Sequence, residues 1–228
     1  MTGAVVLLSS GLDSTVAFKK AFDTFNTITC ITFDYGQRAA SRELENAAAI
    51  CENFNCEHQV ISLPWYKTFS GSLTGTEDLP EPSMSELDDV EKSLDTARSV
   101  WVPARNMVFL SIASSFAEEH NYGHIVVGFD AEEGVTFPDN TPEFIHLFEK
   151  TLEYGTLNHP KIFAPLADLD KEAIVRLGLE IQAPMEYSWS CYTSDPVPCG
   201  VCESCMRRKR AFSRAGTSDP LLARLGKS

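Results

Sequence analysis

Two groups of side chains in this sequence are spaced for chemistry. The first is Leu8-Ser9-Ser10-Gly11-Leu12-Asp13-Ser14-Thr15, which closes an apolar run beginning at Ala4. An apolar run that breaks into a hydroxyl-rich turn and then a helix is how open α/β sheets hold phosphate. The first helical N–H groups have no partner within the helix, and Gly11 lets backbone approach an anion. Asp13 beside a phosphate site calls for a cation such as Mg²⁺. The same residue types also serve an ordinary N-capped strand-to-helix turn. No lysine stands where a Gly-x-x-x-x-Gly-Lys-[Ser/Thr] loop requires one, so the turn points to pyrophosphate handling rather than kinase-type transfer.

The second group is Cys191, Cys199, Cys202 and Cys205, with Gly200 between the second and third. Four thiolates at these spacings can wrap one Zn²⁺ tetrahedrally. An iron–sulfur cluster or a catalytic cysteine pair would use the same residue types. Cys30, Cys51 and Cys56 are scattered through apolar or helical stretches and read as small core residues.

These groups need a scaffold, and the hydrophobic pattern supplies one. Strands are expected at 4–8, 27–33, 58–63, 124–128 and 161–164, alternating with helices at 13–23, 41–54, 105–119, 142–154 and 171–177. Ser41 is the expected cap of the second helix, and the last of these helices should end near Gly178. The alternation predicts an α/β fold with a doubly wound parallel sheet and one domain over 1–228, carrying a metal-stapled segment at 188–212. Residues 64–99 lose periodicity into Gly, Pro, Ser and acid, and read as a mobile cover rather than core. The run Arg207-Arg208-Lys209-Arg210 reads as a solvated helix face.

Ligands of open α/β sheets bind beyond the carboxyl ends of the strands. There the sequence places Asp34, Tyr35, Gln37 and Arg38, then Pro103, Arg105 and Asn106, then Asp130, Glu132, Glu133, Asp139 and Asn140. Charges of both signs around one edge suit a nucleotide, its metal and a polar heterocycle. At 228 residues, 43% hydrophobic, the chain can bury one substantial core. The net charge of −13 opposes broad nucleic-acid binding. No run is long enough to span a bilayer and no basic leader is visible, so a cytoplasmic protein is expected.

Taken in order, the Ser9–Ser14 loop, Phe33-Asp34-Tyr35-Gly36-Gln37-Arg38, Val102-Pro103-Ala104-Arg105-Asn106, Phe137-Pro138-Asp139 and the cysteine cluster resemble the 7-cyano-7-deazaguanine synthase family. The loop is similar to the pyrophosphatase (PP) loop Ser-Gly-Gly-x-Asp-Ser of adenylating ligases. Bacterial members of the family carry Gly where Ser10 and Ala104 stand and His at Ala39. They read Tyr-Pro-Asp-Cys-Arg where this chain has Phe137-Pro138-Asp139-Asn140-Thr141; the wording here is closer to the archaeal branch. The resemblance implies a PP-loop ATPase fold and conversion of 7-carboxy-7-deazaguanine, ammonia and ATP to the nitrile through adenylated intermediates. It implies cofactors Mg²⁺ and Zn²⁺, no nucleic-acid or membrane partner, and a homodimer. On that reading residues 8–15 cradle ATP, Asp13 contacts Mg²⁺, Arg105 and Lys171 face phosphate, and Arg38 and Asp139 recognise substrate. A tRNA thiolase on the same fold and a zinc-stapled nucleic-acid module are the rival readings.

Overall fold

Alternate residues of the central strand face opposite layers of apolar side chains, and that decides the architecture. The computed structural model describes residues 3–69, 71–75 and 77–227. Strands β1 (Gly3–Leu7), β2 (Thr27–Asp34), β3 (Glu57–Ser62), β4 (His124–Val126) and β5 (Lys161–Phe163) form one parallel sheet in the order β3-β2-β1-β4-β5. The helices are α1 (Leu12–Thr24), α2 (Ala40–Phe54), α3 (Val90–Ser99), α4 (Arg105–Glu119), α5 (Ala131–Thr136), α6 (Pro142–Gly155), α7 (Lys171–Glu180), α8 (Glu203–Ala215) and α9 (Pro220–Arg224).

Val5 of β1 aligns with Thr29 of β2 on one side and Ile125 of β4 on the other. Ala4, Val6 and Leu8 face a core made with α1, α2, α7 and α8. Val5, Ile31, Ile125 and Val127 face a second core against α4 and α6. A strand covered on both faces is apolar throughout, as 4–8 is. The chain winds outward from β1 to β2 and β3, then crosses to the other side of β1 for β4. The loops after β1 and β4 therefore part at a topological switch point, where such sheets bind ligands. Gly128, just after β4, makes the close approach possible: a Cβ there would lie 2.8 Å from the backbone nitrogen of Ser14.

Four local expectations are corrected. Residues 64–99 are not outside the core. They hold 3₁₀ turns at Pro64–Thr68 and Glu86–Asp88 and helix α3, whose Asp89 cap accepts from the N–H groups of Glu91 and Lys92. Tyr66 is fully buried and joins Phe33, Tyr35, Val102 and Leu110 in one cluster. Its buried residues are anchored singly by distant partners, so no period marks them in sequence. Ser70 and Thr76 of this segment lie outside the described residues.

Helix α2 begins at Ala40, which puts Ser41 inside its first turn; no side chain caps it. Helix α7 continues through Gly178 to Glu180. Gly178 marks a close approach rather than an end, since a Cβ would meet the Met185 sulfur at 2.6 Å and Val16 Cγ2 at 3.0 Å. The Arg207–Arg210 run is not a solvated face. Arg208 holds Asp219 through Nε at 2.6 Å and Nη2 at 2.7 Å. Arg210 reaches Asp88 at 2.7 Å and Glu132 at 2.8 Å, and both arginines are buried. These ion pairs bind α8 to α9, to the turn before α3 and to α5.

Candidate active site

The switch point opens into a cavity of about 290 Å³. Ser9, Gly11, Leu12, Asp13 and Ser14 line one end, with Leu8 behind them. Gly11 caps α1 without any side-chain hydrogen bond to its first turn, which leaves those N–H groups for an anion. Ser9 Oγ accepts from Gly11 N at 3.2 Å and lies 3.1 Å from Ser14 Oγ, so both hydroxyls border the same space.

Ser10 and Thr15 do not line the cavity. Both are fully buried, and the Ser10 carbonyl is held by Trp189 N at 2.7 Å and Thr15 Oγ1 at 3.4 Å. Their part is to shape the loop from behind. Ser10 sits at φ +58°, and Ala104, before α4, at φ +54°. Both positions thus take the left-handed backbone that favours glycine. Ser10 Oγ is also buried without a partner. Ser10→Gly removes the strain and the orphan hydroxyl at a smaller entropic cost in the unfolded chain. The expected net gain is about 1 kcal/mol, a rise of roughly 2–4 °C in Tm by calorimetry.

Beside the loop, Lys171 Nζ lies 2.8 Å from Asp13, 2.7 Å from Asp130 and 3.1 Å from Glu133. The three carboxylates are within metal-sharing distance of one another. Burial pushes the Asp13 carboxyl up and the Asp130 carboxyl up to about 7, against the pull of Lys171. For Glu133 burial opposes ionisation, but Lys171, Arg105 and Arg207 hold its carboxyl below the usual range. Asp13 Oδ1 is buried with no hydrogen-bond partner. Three acids against one ammonium leave an excess of negative charge, and hard oxygen donors of this kind suit Mg²⁺. Asp130 and Glu133 stand among the polar residues after the fourth strand. Their convergence on Asp13 and Lys171 depends on long-range packing and has no local signature.

The far end of the cavity is aromatic. Phe33 and Phe109 stack with centroids 4.0 Å apart, and Tyr35 packs beside them. Arg105 lines this end; its Nη1 donates to Tyr35 Oη at 3.4 Å and its guanidinium lies over the Tyr35 ring. Asp139 is buried and does not line the cavity. It accepts from Asn140 Nδ2 at 3.0 Å, so its influence passes through Asn140, which does line it. Arg38 is also outside the lining: it donates to the carbonyls of Gly75 and Glu77 and straps that turn. Sequence reasoning missed Glu43, which lines the cavity from α2.

Burial pushes the Glu43 carboxyl up to about 7. Between roughly pH 4.5 and 7 the folded chain keeps this proton while the unfolded chain has lost it, so wild-type stability falls as pH rises through that window. Glu43→Gln removes the effect. Its stability advantage over wild type, measured by denaturant unfolding, should grow from about pH 4.5 to 7 and then level off, reaching about 1–3 kcal/mol. A gap that narrows over the same range contradicts this assignment.

The cysteine segment forms the remaining wall. All four cysteine sulfurs lie within 4.8 Å of one another, and Cys199 Sγ is 3.9 Å from Cys205 Sγ. A tetrahedron with metal–sulfur bonds of about 2.3 Å has edges of about 3.8 Å, whereas a disulfide is about 2.05 Å long. The N–H groups of Cys199 and Cys202 point at Cys191 and Cys199 sulfurs, each at 3.3 Å, and favour thiolates. Cys191, Trp189 and Tyr192 line the cavity, so the metal-binding knot and the phosphate loop are parts of one site. Cys30 and Cys51 are buried in the core and Cys56 is half-buried, as expected.

A family described as Queuosine biosynthesis protein QueC matches residues 3–216. The 7-cyano-7-deazaguanine synthase of Methanosphaera stadtmanae is 52% identical over 217 residues, covering 95% of this chain and 96% of its own. That of Methanocaldococcus jannaschii is 52% identical over 225 residues, covering 95% and 97%. Among solved structures, the U34-tRNA thiolase NcsA from Methanococcus maripaludis covers 99% of this chain and 70% of its own, with a TM-score of 0.50 and 13% identity, a likeness of fold alone. The rival thiolase and nucleic-acid readings find no such support. With matches at half identity along nearly its whole length, the chain belongs to the QueC family of 7-cyano-7-deazaguanine synthases.

Proposed function

We propose that the cavity converts 7-carboxy-7-deazaguanine, ammonia and ATP to 7-cyano-7-deazaguanine by two successive adenylations. The observation that carries this reading is the uncapped first turn of α1 facing the same space as Lys171 and three carboxylates. A carboxylate resists ammonia because it is anionic and lacks a good leaving group. Its oxygen attacks the α-phosphorus of ATP, and the bond to the departing pyrophosphate breaks. Ammonia then adds to the acyl carbon and expels AMP, which keeps one former carboxylate oxygen. The amide oxygen then attacks the α-phosphorus of a second ATP, releasing a second pyrophosphate; loss of the two protons on nitrogen and departure of that AMP leave the nitrile.

In this scheme Ser9, Gly11, Leu12 and Ser14 hold the departing pyrophosphate, and Lys171 and Arg105 balance phosphate charge. Asp13, Asp130 and Glu133 would hold Mg²⁺, which when bound supplies further neutralisation of the phosphates. Cys191, Cys199, Cys202 and Cys205 would hold Zn²⁺, closed to water by four protein ligands. Phe33, Phe109 and Tyr35 give the planar heterocycle an aromatic wall to lie against. Catalysis is chiefly positioning and electrostatics. Residues 1–228 act as a single ATP-binding domain with 188–212 as its metal segment.

The active form is a cytoplasmic homodimer that takes ammonia free or from another protein and makes no nucleic-acid contact. The exposed Tyr154 and Leu157 at the end of α6 support a self-association surface, and the acidic surface supports the second point. Incubation of the protein with the acid, ATP and ammonia, followed by mass spectrometry, tests the reaction. A nitrile that forms only with all three supports it; ATP cleavage without nitrile contradicts it.

A further inference from the structure

Glu43 is a carboxyl in the aromatic end of the cavity that the phosphate chemistry does not use. Gln37 holds it there: Gln37 Nε2 donates to Glu43 Oε2 at 2.8 Å. Gln37 is itself locked, accepting from Tyr35 N and donating to the Phe33 carbonyl, each at 3.0 Å. Among the described residues Glu43 forms no ion pair, and Arg105 acts on it only at a distance. A carboxylate offers four lone-pair sites, and one is taken. On this half-buried acid facing the cavity, the remaining sites are left for a ligand to fill.

The walls around it are flat and apolar, from Phe33, Phe109 and Tyr35. A ligand that fits is planar and presents adjacent N–H donors at one edge. The heterocycle of the proposed substrate has that edge, a ring N–H beside an exocyclic amino group. We infer that Glu43 is the specificity-determining residue that accepts both of these N–H groups, with Gln37 as its positioning residue. This rests on the proposed reaction and adds the contact that selects an aminopyrimidinone over other planar acids. Gripping that edge among the aromatic side chains leaves the carboxylate on the five-membered ring to face the phosphate loop.

The test is calorimetric binding of 7-carboxy-7-deazaguanine and of its analogue lacking the exocyclic amino group, to wild type and to Glu43→Gln, with KM for ammonia measured alongside. Loss of one bidentate, charge-assisted contact is worth about 30-fold. Wild type should prefer the amino-bearing acid about tenfold or more over its analogue. Glu43→Gln should bind the acid about 30-fold more weakly, lose that preference, and leave KM for ammonia unmoved. A merely structural role would weaken both ligands alike and keep the preference. Wild-type affinity and preference in the variant overturn the inference, as does an effect confined to KM for ammonia. Failure of wild type to bind the acid overturns the proposed reaction itself, which separates the two results.

Discussion

Cys202→Ser protein is expected to leave purification with well under one metal ion per chain, and to melt about 10 °C or more below wild type. Cys202 is buried at the N-cap of α8, with its sulfur grouped with three others within 4.8 Å. Structural zinc contributes on the order of 10 kcal/mol in small metal-folded domains, and one lost thiolate forfeits much of it. The damage should reach the nucleotide. Trp189 N holds the Ser10 carbonyl at 2.7 Å, and Ser10 sits at a backbone angle that needs outside support. Release of the cysteine segment frees that carbonyl and removes the Cys191 wall, so ATP affinity should fall with metal content. Elemental analysis with calorimetry of ATP binding checks this. Full zinc occupancy in the variant, or an unchanged Tm, contradicts the assignment.

Asp13→Asn is expected to do the opposite: turnover falls by about a thousandfold while the fold stands. The substitution keeps shape, and Lys171 retains Asp130 and Glu133. It also removes a carboxyl that burial and Glu133 already disfavour as an anion, so Tm should hold or rise slightly. What is lost is a ligand charge for the cation beside the departing pyrophosphate. Steady-state rates over a magnesium titration are the check: the variant should need far more magnesium to reach its reduced maximum. Wild-type turnover at ordinary magnesium contradicts the role.

The loop and the cysteines were legible because each is a local pattern: the chemistry sits within a few consecutive residues, and spacing alone restricts the geometry. The sheet was legible because both faces of its central strands are buried, which writes continuous apolar runs. Arg210 was misread because its partner Asp88 lies 122 positions away; a charge run looks the same whether water or distant acids receive it. Arg38 follows a strand, where a substrate contact is expected, but it is held by the backbone carbonyls of Gly75 and Glu77. Glu43 looked like an ordinary helix residue. Only the packing of α2 against the aromatic end of the cavity shows that it faces a ligand space.

If the Ser9–Ser14 loop serves adenylation, oxygen passes from the acid to AMP, and isotope transfer follows it. With both carboxylate oxygens of the acid labelled as ¹⁸O, the nitrile should carry no label, and the AMP formed should carry the oxygens taken from the acid and the amide. Mass spectrometry of the nucleotides reads this in one experiment. Label in AMP, with unlabelled inorganic pyrophosphate, is the result expected. Label in inorganic phosphate, with ADP as the nucleotide product, would contradict it.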